Sequence, residues 1–126
     1  MPASSAFCAH LVDLMQPLGP VAVRRMFGGA GVFRDGLMFG LIADDALYLK
    51  ADEHNRGDFE ARGLGPFTYQ AKSKTTALSY YQAPPELMED PEALAAWADK
   101  AYQAALRAAA AKRRGTAKRR RRGQAR

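Results

Sequence analysis

Between residues 21 and 51 the chain is cut into short runs of β-branched, aromatic and aliphatic residues by tight-turn signals, and that punctuation restricts it to an antiparallel meander. Residues 21–26 read as a strand, Phe27-Gly28-Gly29 as a turn or bulge, and residues 30–34 as a second strand. Asp35-Gly36 is a hairpin signal, because the favoured two-residue turn needs positive φ at both central positions and Asp and Gly tolerate it. Residues 37–43 form a third strand, and Asp44-Asp45 turns the chain into a fourth over residues 46–51. Connections this short exclude parallel pairing, which needs a crossover of about a dozen residues.

Helical spacing brackets the meander. Ser4 and Ser5 offer N-cap oxygens to a first helix over residues 5–16, in which Phe7, Leu11, Leu14 and Met15 recur on one side before Pro17, Gly19 and Pro20 stop the pattern. Residues 55–62 predict a short helix anchored by Phe59 and capped by Gly63. Gly65-Pro66 opens two further strands, 67–70 and 76–82, joined by a polar loop and ended by Pro84-Pro85. Asp90 is placed as an N-cap with Pro91 at the first helical position, where its missing N–H costs nothing. Leu94, Trp97, Ala98, Ala101 and Ala105 then line one side of a long helix through residue 111.

The order α-β4-α-β2-α predicts an α+β fold, with helices on one face of an antiparallel sheet in two layers. Phe33, Phe39, Tyr48, Tyr69, Tyr80 and Tyr81 are many aromatics for so small a sheet. Two readings account for them: a homodimer that buries the second face, or the ordinary core and surface of a monomer.

Charge divides the chain unevenly. It holds 19 Lys and Arg against 13 Asp and Glu, a formal +6, yet residues 112–126 contain nine cations and no acid, which leaves −3 on residues 1–111. The expected organisation is therefore a domain over 1–111 and a disordered basic tail over 112–126, which has no apolar side chain larger than alanine to bury. Lys112, Arg113, Arg114, Lys118, Arg119, Arg120, Arg121, Arg122 and Arg126 are candidate nucleic-acid-binding residues, since such a density of cations is useful chiefly against phosphate. The competing reading is a solubilising tail that binds nothing. Cys8 is the single cysteine and has no intramolecular partner, which fits a reducing compartment. No basic-then-apolar leader opens the sequence and no run reaches the length of a membrane span, so the expectation is a cytoplasmic, nucleoid-associated chain without membrane contact.

Within the body, Arg24, Arg25, Met26, Phe27, Gly28 and Gly29 are the candidate partner-binding residues. On a strand Arg24 and Arg25 point to opposite faces, and the glycine pair suits either a bulge or an anion-binding nest. A phosphate loop is excluded by context, because a strand follows Gly31 where a helix would be required. Cys8 lacks a base on its side of the helix, the histidines His10 and His54 form no metal-ligand spacing, and most of the carboxylates read as turn or cap residues. No enzyme, cofactor or metal site is expected. Met26, Phe27, Met38, Phe39, Tyr80 and Tyr81 invite a stacking platform for single-stranded nucleic acid, although aromatics on strands more often serve a core.

The run Val23-Arg24-Arg25-Met26-Phe27-Gly28-Gly29-Ala30-Gly31-Val32-Phe33, followed by Asp35-Gly36-Leu37-Met38-Phe39-Gly40-Leu41-Ile42 and Leu47-Tyr48-Leu49-Lys50, resembles the N-terminal domain of the TfoX/Sxy family. Gly65-Pro66-Phe67-Thr68-Tyr69, Leu78-Ser79-Tyr80-Tyr81 with Pro84 after it, and Leu94 to Trp97 continue the likeness in order, over about residues 5 to 110. The resemblance implies an antiparallel sheet with helices on one side and a regulatory, non-enzymatic role: co-activation of competence and DNA-uptake genes with a partner of the cyclic-AMP receptor protein type. Full-length regulators carry a second helical domain where this chain has its basic tail.

Three functional readings follow: a TfoX-like interaction module with a nucleic-acid-binding tail, a general DNA- or RNA-binding accessory protein, and a small enzyme or ligand-binding domain.

Overall fold

The computed structural model describes residues 3–26, 28–71 and 74–124. Helix α1 (Ser5–Leu14) starts where Ser4 Oγ accepts the Phe7 N–H at 3.1 Å, and a 3₁₀ turn over Gln16–Leu18 follows it at Pro17. Strands β1 (Ala22–Met26), β2 (Gly29–Arg34), β3 (Leu37–Ala43) and β4 (Ala46–Lys50) form the meander. The Asp35-Gly36 turn has φ of 50° and 77°, and Asp44-Asp45 repeats that left-handed pair at 52° and 54°. Helix α2 (Arg56–Glu60) ends with the Gly63 and Leu64 N–H groups donating to the Glu60 and Phe59 carbonyls. Strands β5 (Pro66–Ala71) and β6 (Lys74–Gln82) precede a second 3₁₀ turn at Pro85–Glu89, and α3 (Pro91–Gln124) begins with Asp90 Oδ1 accepting the Ala93 N–H at 3.1 Å.

All the strand pairs are antiparallel, in the order β1-β2-β3-β4-β6-β5. The register sorts side chains into two faces, because residues directly opposite one another share a face. Val23, Val32, Gly40, Leu49 and Tyr81 form one cross-strand row; Arg24, Gly31, Leu41, Tyr48 and Gln82 form the adjacent row on the opposite face. A bulge lies in β3: Val32 pairs with Gly40 and Phe33 with Met38, which leaves Phe39 as the extra residue. That insertion turns Phe39 into the core, where it is fully buried and meets Tyr102 edge to face at 5.9 Å.

The helices cover the first face only. Leu11 and Met15 of the α1 region, Phe59 of α2, and Leu94, Ala98, Ala101 and Ala105 of α3 join Val32, Phe39, Ile42, Leu47 and Leu49 in one core. Alanines at three- and four-residue spacing let the α3 backbone lie close to β3 and β4. Phe59 fills the corner between Trp97, at 5.1 Å, and Tyr81, at 5.6 Å.

The α3 backbone runs as helix through residue 111, where the domain boundary was drawn, to Gln124. The physical reason is that Ala, Arg and Lys, which make up most of this stretch, are among the strongest helix formers, so lack of a core does not preclude helical backbone here.

Candidate functional site

The hairpin between β1 and β2 carries the partner-binding candidates, and the structure separates its two arginines. Arg25 lies opposite Ala30 on the helix-covered face. Its guanidinium donates to the Ala3 carbonyl and, at 3.1 Å, to Ser5 Oγ, so it ties the segment before α1 to the edge of the sheet. A second tether holds the same segment, the Ser4 N–H donating to Asp45 Oδ1 at 2.7 Å. Arg24 lies on the other face with its guanidinium 5.2 Å from the centroid of the Phe33 ring.

The glycines have structural work of their own. Gly28 occupies the turn at φ +78°, in the left-handed region. A Cβ on Gly29 would stand 2.3 Å from the Ile42 carbonyl oxygen, so β2 approaches β3 here at a distance only glycine allows. Met26 is half-buried, and Phe27 lies outside the described residues. Of the six candidates, Arg24 is therefore the cation that faces away from the helices.

The second candidate surface is the part of α3 beyond the core. Ala105 is 3% exposed and Leu106 is 38% exposed, and Lys112, Arg113 and Arg114 are exposed on the helix. Residues 118–122 continue on helical backbone, and Arg126 lies outside the described residues. At the junction Arg107 clasps Asp52 with two bonds, Nε to Oδ2 at 2.6 Å and a terminal nitrogen to Oδ1 at 3.0 Å. The Arg107 guanidinium, helped by the His54 N–H, lowers the Asp52 pKa to about 2. Neighbouring Asn55, 3% exposed, braces the loop by accepting the Asp52 N–H and donating to the Lys50 carbonyl. The two partners stand 55 residues apart, so no local signal in the sequence marks the pair.

Other clefts are small. The one lined by Phe7, Asp45, Leu47, Pro84 and Met88 holds about 130 Å³, below the roughly 300 Å³ at which small-molecule sites begin. Cys8 is partly buried against the core and both histidines are exposed. No three His, Cys, Asp or Glu side chains gather to hold a metal ion among the described residues, and no helix is long and apolar enough to cross a membrane.

The suggested stacking set is corrected by the register. Phe39 and Tyr81 belong to the core side. Phe33, Tyr48 and Phe67, which that set omitted, take their place beside Tyr80 on the uncovered face, with the Tyr48 and Phe67 rings 5.2 Å apart.

Residues 13–105 match the model of the TfoX N-terminal domain. The chain belongs to this family. The matched segment holds the sheet and ends with the last residue of the core, Ala105, so the basic part of α3 lies beyond what the TfoX N-terminal domain accounts for. Among curated proteins it is similar to DNA transformation protein TfoX1 of Aliivibrio fischeri, 30% identical over 69 residues. That match takes in 55% of this chain and spans a third, 33%, of the relative's length.

Proposed function

We propose that this chain is a non-enzymatic regulatory interaction module of the competence and DNA-uptake class, which holds nucleic acid through the basic part of α3. Its body would engage a transcription factor of the cyclic-AMP receptor protein type. Membership of the TfoX N-terminal family and the name of the Aliivibrio fischeri relative support the regulatory class. The observation that carries the nucleic-acid half is the segregation of charge: residues 112–126 hold nine cations and no acid, and eight of the nine lie on the same helix whose first half walls the core. Each cation that neutralises a phosphate releases condensed counterion, so the arm supplies affinity without reading sequence.

A salt titration on a random and a promoter duplex tests this with the intact chain and a variant in which all nine cations are replaced by Gln. With about five contacts engaged, the intact chain should show a log–log salt slope of about −4.5, with similar affinity for both duplexes. Removing nine positive charges from a chain of +6 leaves −3, so the variant should lose duplex binding while its melting temperature stays put. Tight duplex binding by the variant would sink the proposal. The variant should still capture purified cyclic-AMP receptor protein; failure of both forms to do so would remove the partner half. The position of the cations beyond the family match also favours a second reading, a general nucleic-acid accessory protein, for which binding would survive but capture would not.

A further inference from the structure

The uncovered face of the sheet is not an ordinary solvated one. Phe33, Met38, Leu41, Tyr48, Phe67 and Tyr80 are each only partly exposed, yet none packs against the core. Four of them meet in pairs instead. The Phe33 ring crosses Gly31, where an added Cβ would stand 2.9 Å from its edge carbon and 3.2 Å from the Met38 sulfur, and Tyr48 meets Phe67 edge to face. Two cations lie over rings of this surface. Arg24 sits over Phe33, and Lys50 sits 5.1 Å from the Tyr80 centroid while donating to Ser79 Oγ at 2.7 Å. No acid occupies a position in the paired rows Ala22–Phe33–Met38, Arg24–Gly31–Leu41–Tyr48–Gln82 or Lys50–Tyr80.

We infer that this face binds single-stranded nucleic acid, its bases stacked on Phe33, Tyr48 and Tyr80 and its phosphates met by Arg24 and Lys50. The charge decides between occupants. A second copy would bring the same two cations to a face that offers no carboxylate in those rows, whereas a polyanion complements them. The spacing suits the ligand: from β2 to β6 is three strand separations, about 14 Å, and antiparallel sheets with exposed rings stack about two or three bases in this way. Every base has a π face, so binding should tolerate sequence and discriminate against duplex, whose bases are already stacked. This surface is separate from the basic part of α3 and goes beyond the role proposed for it.

Fluorescence anisotropy with labelled oligothymidylate and a labelled duplex, each titrated with the intact chain, tests the inference. Replacing Tyr48→Leu or Phe33→Leu should weaken oligothymidylate binding about 5- to 140-fold, the loss of one stacked base. Tyr48→Phe keeps a ring and should bind as the unaltered chain does, and duplex affinity should be the same for all three. Melting curves identify any variant that has lost its fold; Arg24→Gln, which removes no ring, then carries the test through a shallower salt dependence. The chain with its nine terminal cations neutralised should lose the duplex but keep oligothymidylate binding that depends on Tyr48, so the two proposals fail separately. Equal affinities for the Leu and Phe variants would overturn the inference. So would a dimer in sedimentation that Tyr48→Leu dissociates, since the face would then belong to a second copy.

Discussion

The two halves of α3 share one backbone and are held by different forces. Up to Ala105 the helix is a wall of the core: Leu94, Ala98, Ala101 and Ala104 are 0% exposed, at three- and four-residue intervals. Beyond it, about 28 Å of helix continues, and from Leu106 to Gly115 no residue is buried. Burial stabilises the first half, whereas the second depends on the intrinsic preference of Ala, Lys and Arg, opposed by mutual repulsion of its cations. A continuous helix is thus two physical objects, one fixed by tertiary packing and one held by local helix preference against its own charge.

The contrast is broken or sharpened most strongly by paired truncations. Leu94→Ala should cost about 2–5 kcal/mol in chemical denaturation, while Leu106→Ala one step past the core should stay within about 0.5 kcal/mol. Comparable losses would mean that the outer half packs against something. Next in size is Gly115→Ala. Gly115 has open space where a Cβ would go, so the change should favour local helix by about 1 kcal/mol, seen as added far-ultraviolet ellipticity with no shift in the body's unfolding midpoint. A shifted midpoint would join the two halves into one cooperative unit.

The smallest effect belongs to the junction. Asp52 is held at about 2, below its ordinary value of 3.8, mainly by Arg107. A depressed carboxylate contributes stability above its unfolded pKa and loses it as pH falls toward the folded one. The Asp52–Arg107 pair should therefore stabilise the chain above about pH 4 and fade toward about pH 2, by less than about 1 kcal/mol because both groups face solvent. Asp52→Asn should flatten that part of the pH profile, and an unaltered profile would show that the clasp contributes nothing.

Local chemistry made much of this fold legible. Asp35-Gly36 and Asp44-Asp45 announced their turns because few residues accept positive φ, and Asp90-Pro91 marked a helix start because one side chain caps it and the other lacks the N–H that needs capping. What escaped was non-local. The Phe39 bulge puts two aromatic residues six positions apart on opposite faces, against simple alternation. The hydrogen bonds of Arg25, one of the partner-binding candidates, run to Ala3 and Ser5, and no sequence period relates them. Of the candidate surfaces, the basic arm was visible as charge. The uncovered sheet face was visible only as an excess of aromatics, because its rings come together only through register.

The placement of β6 between β4 and β5 also sets an order of assembly. The meander can zip through three adjacent turns, each closing a short loop, and β5 with β6 can form a hairpin of its own. Joining the two requires Leu49 to find Tyr81 across all of α2 and β5, so this docking step is expected to limit the folding rate. Pulse-labelled hydrogen exchange should then protect the meander before the Ala83 amide, whose acceptor is the Leu47 carbonyl, and simultaneous protection would refute that order. On a ribosome the meander emerges first, with β4 as an open edge bearing Leu47, Tyr48 and Leu49. For as long as β6 is unmade, that edge is where a nascent chain would pair with a neighbour instead of with itself.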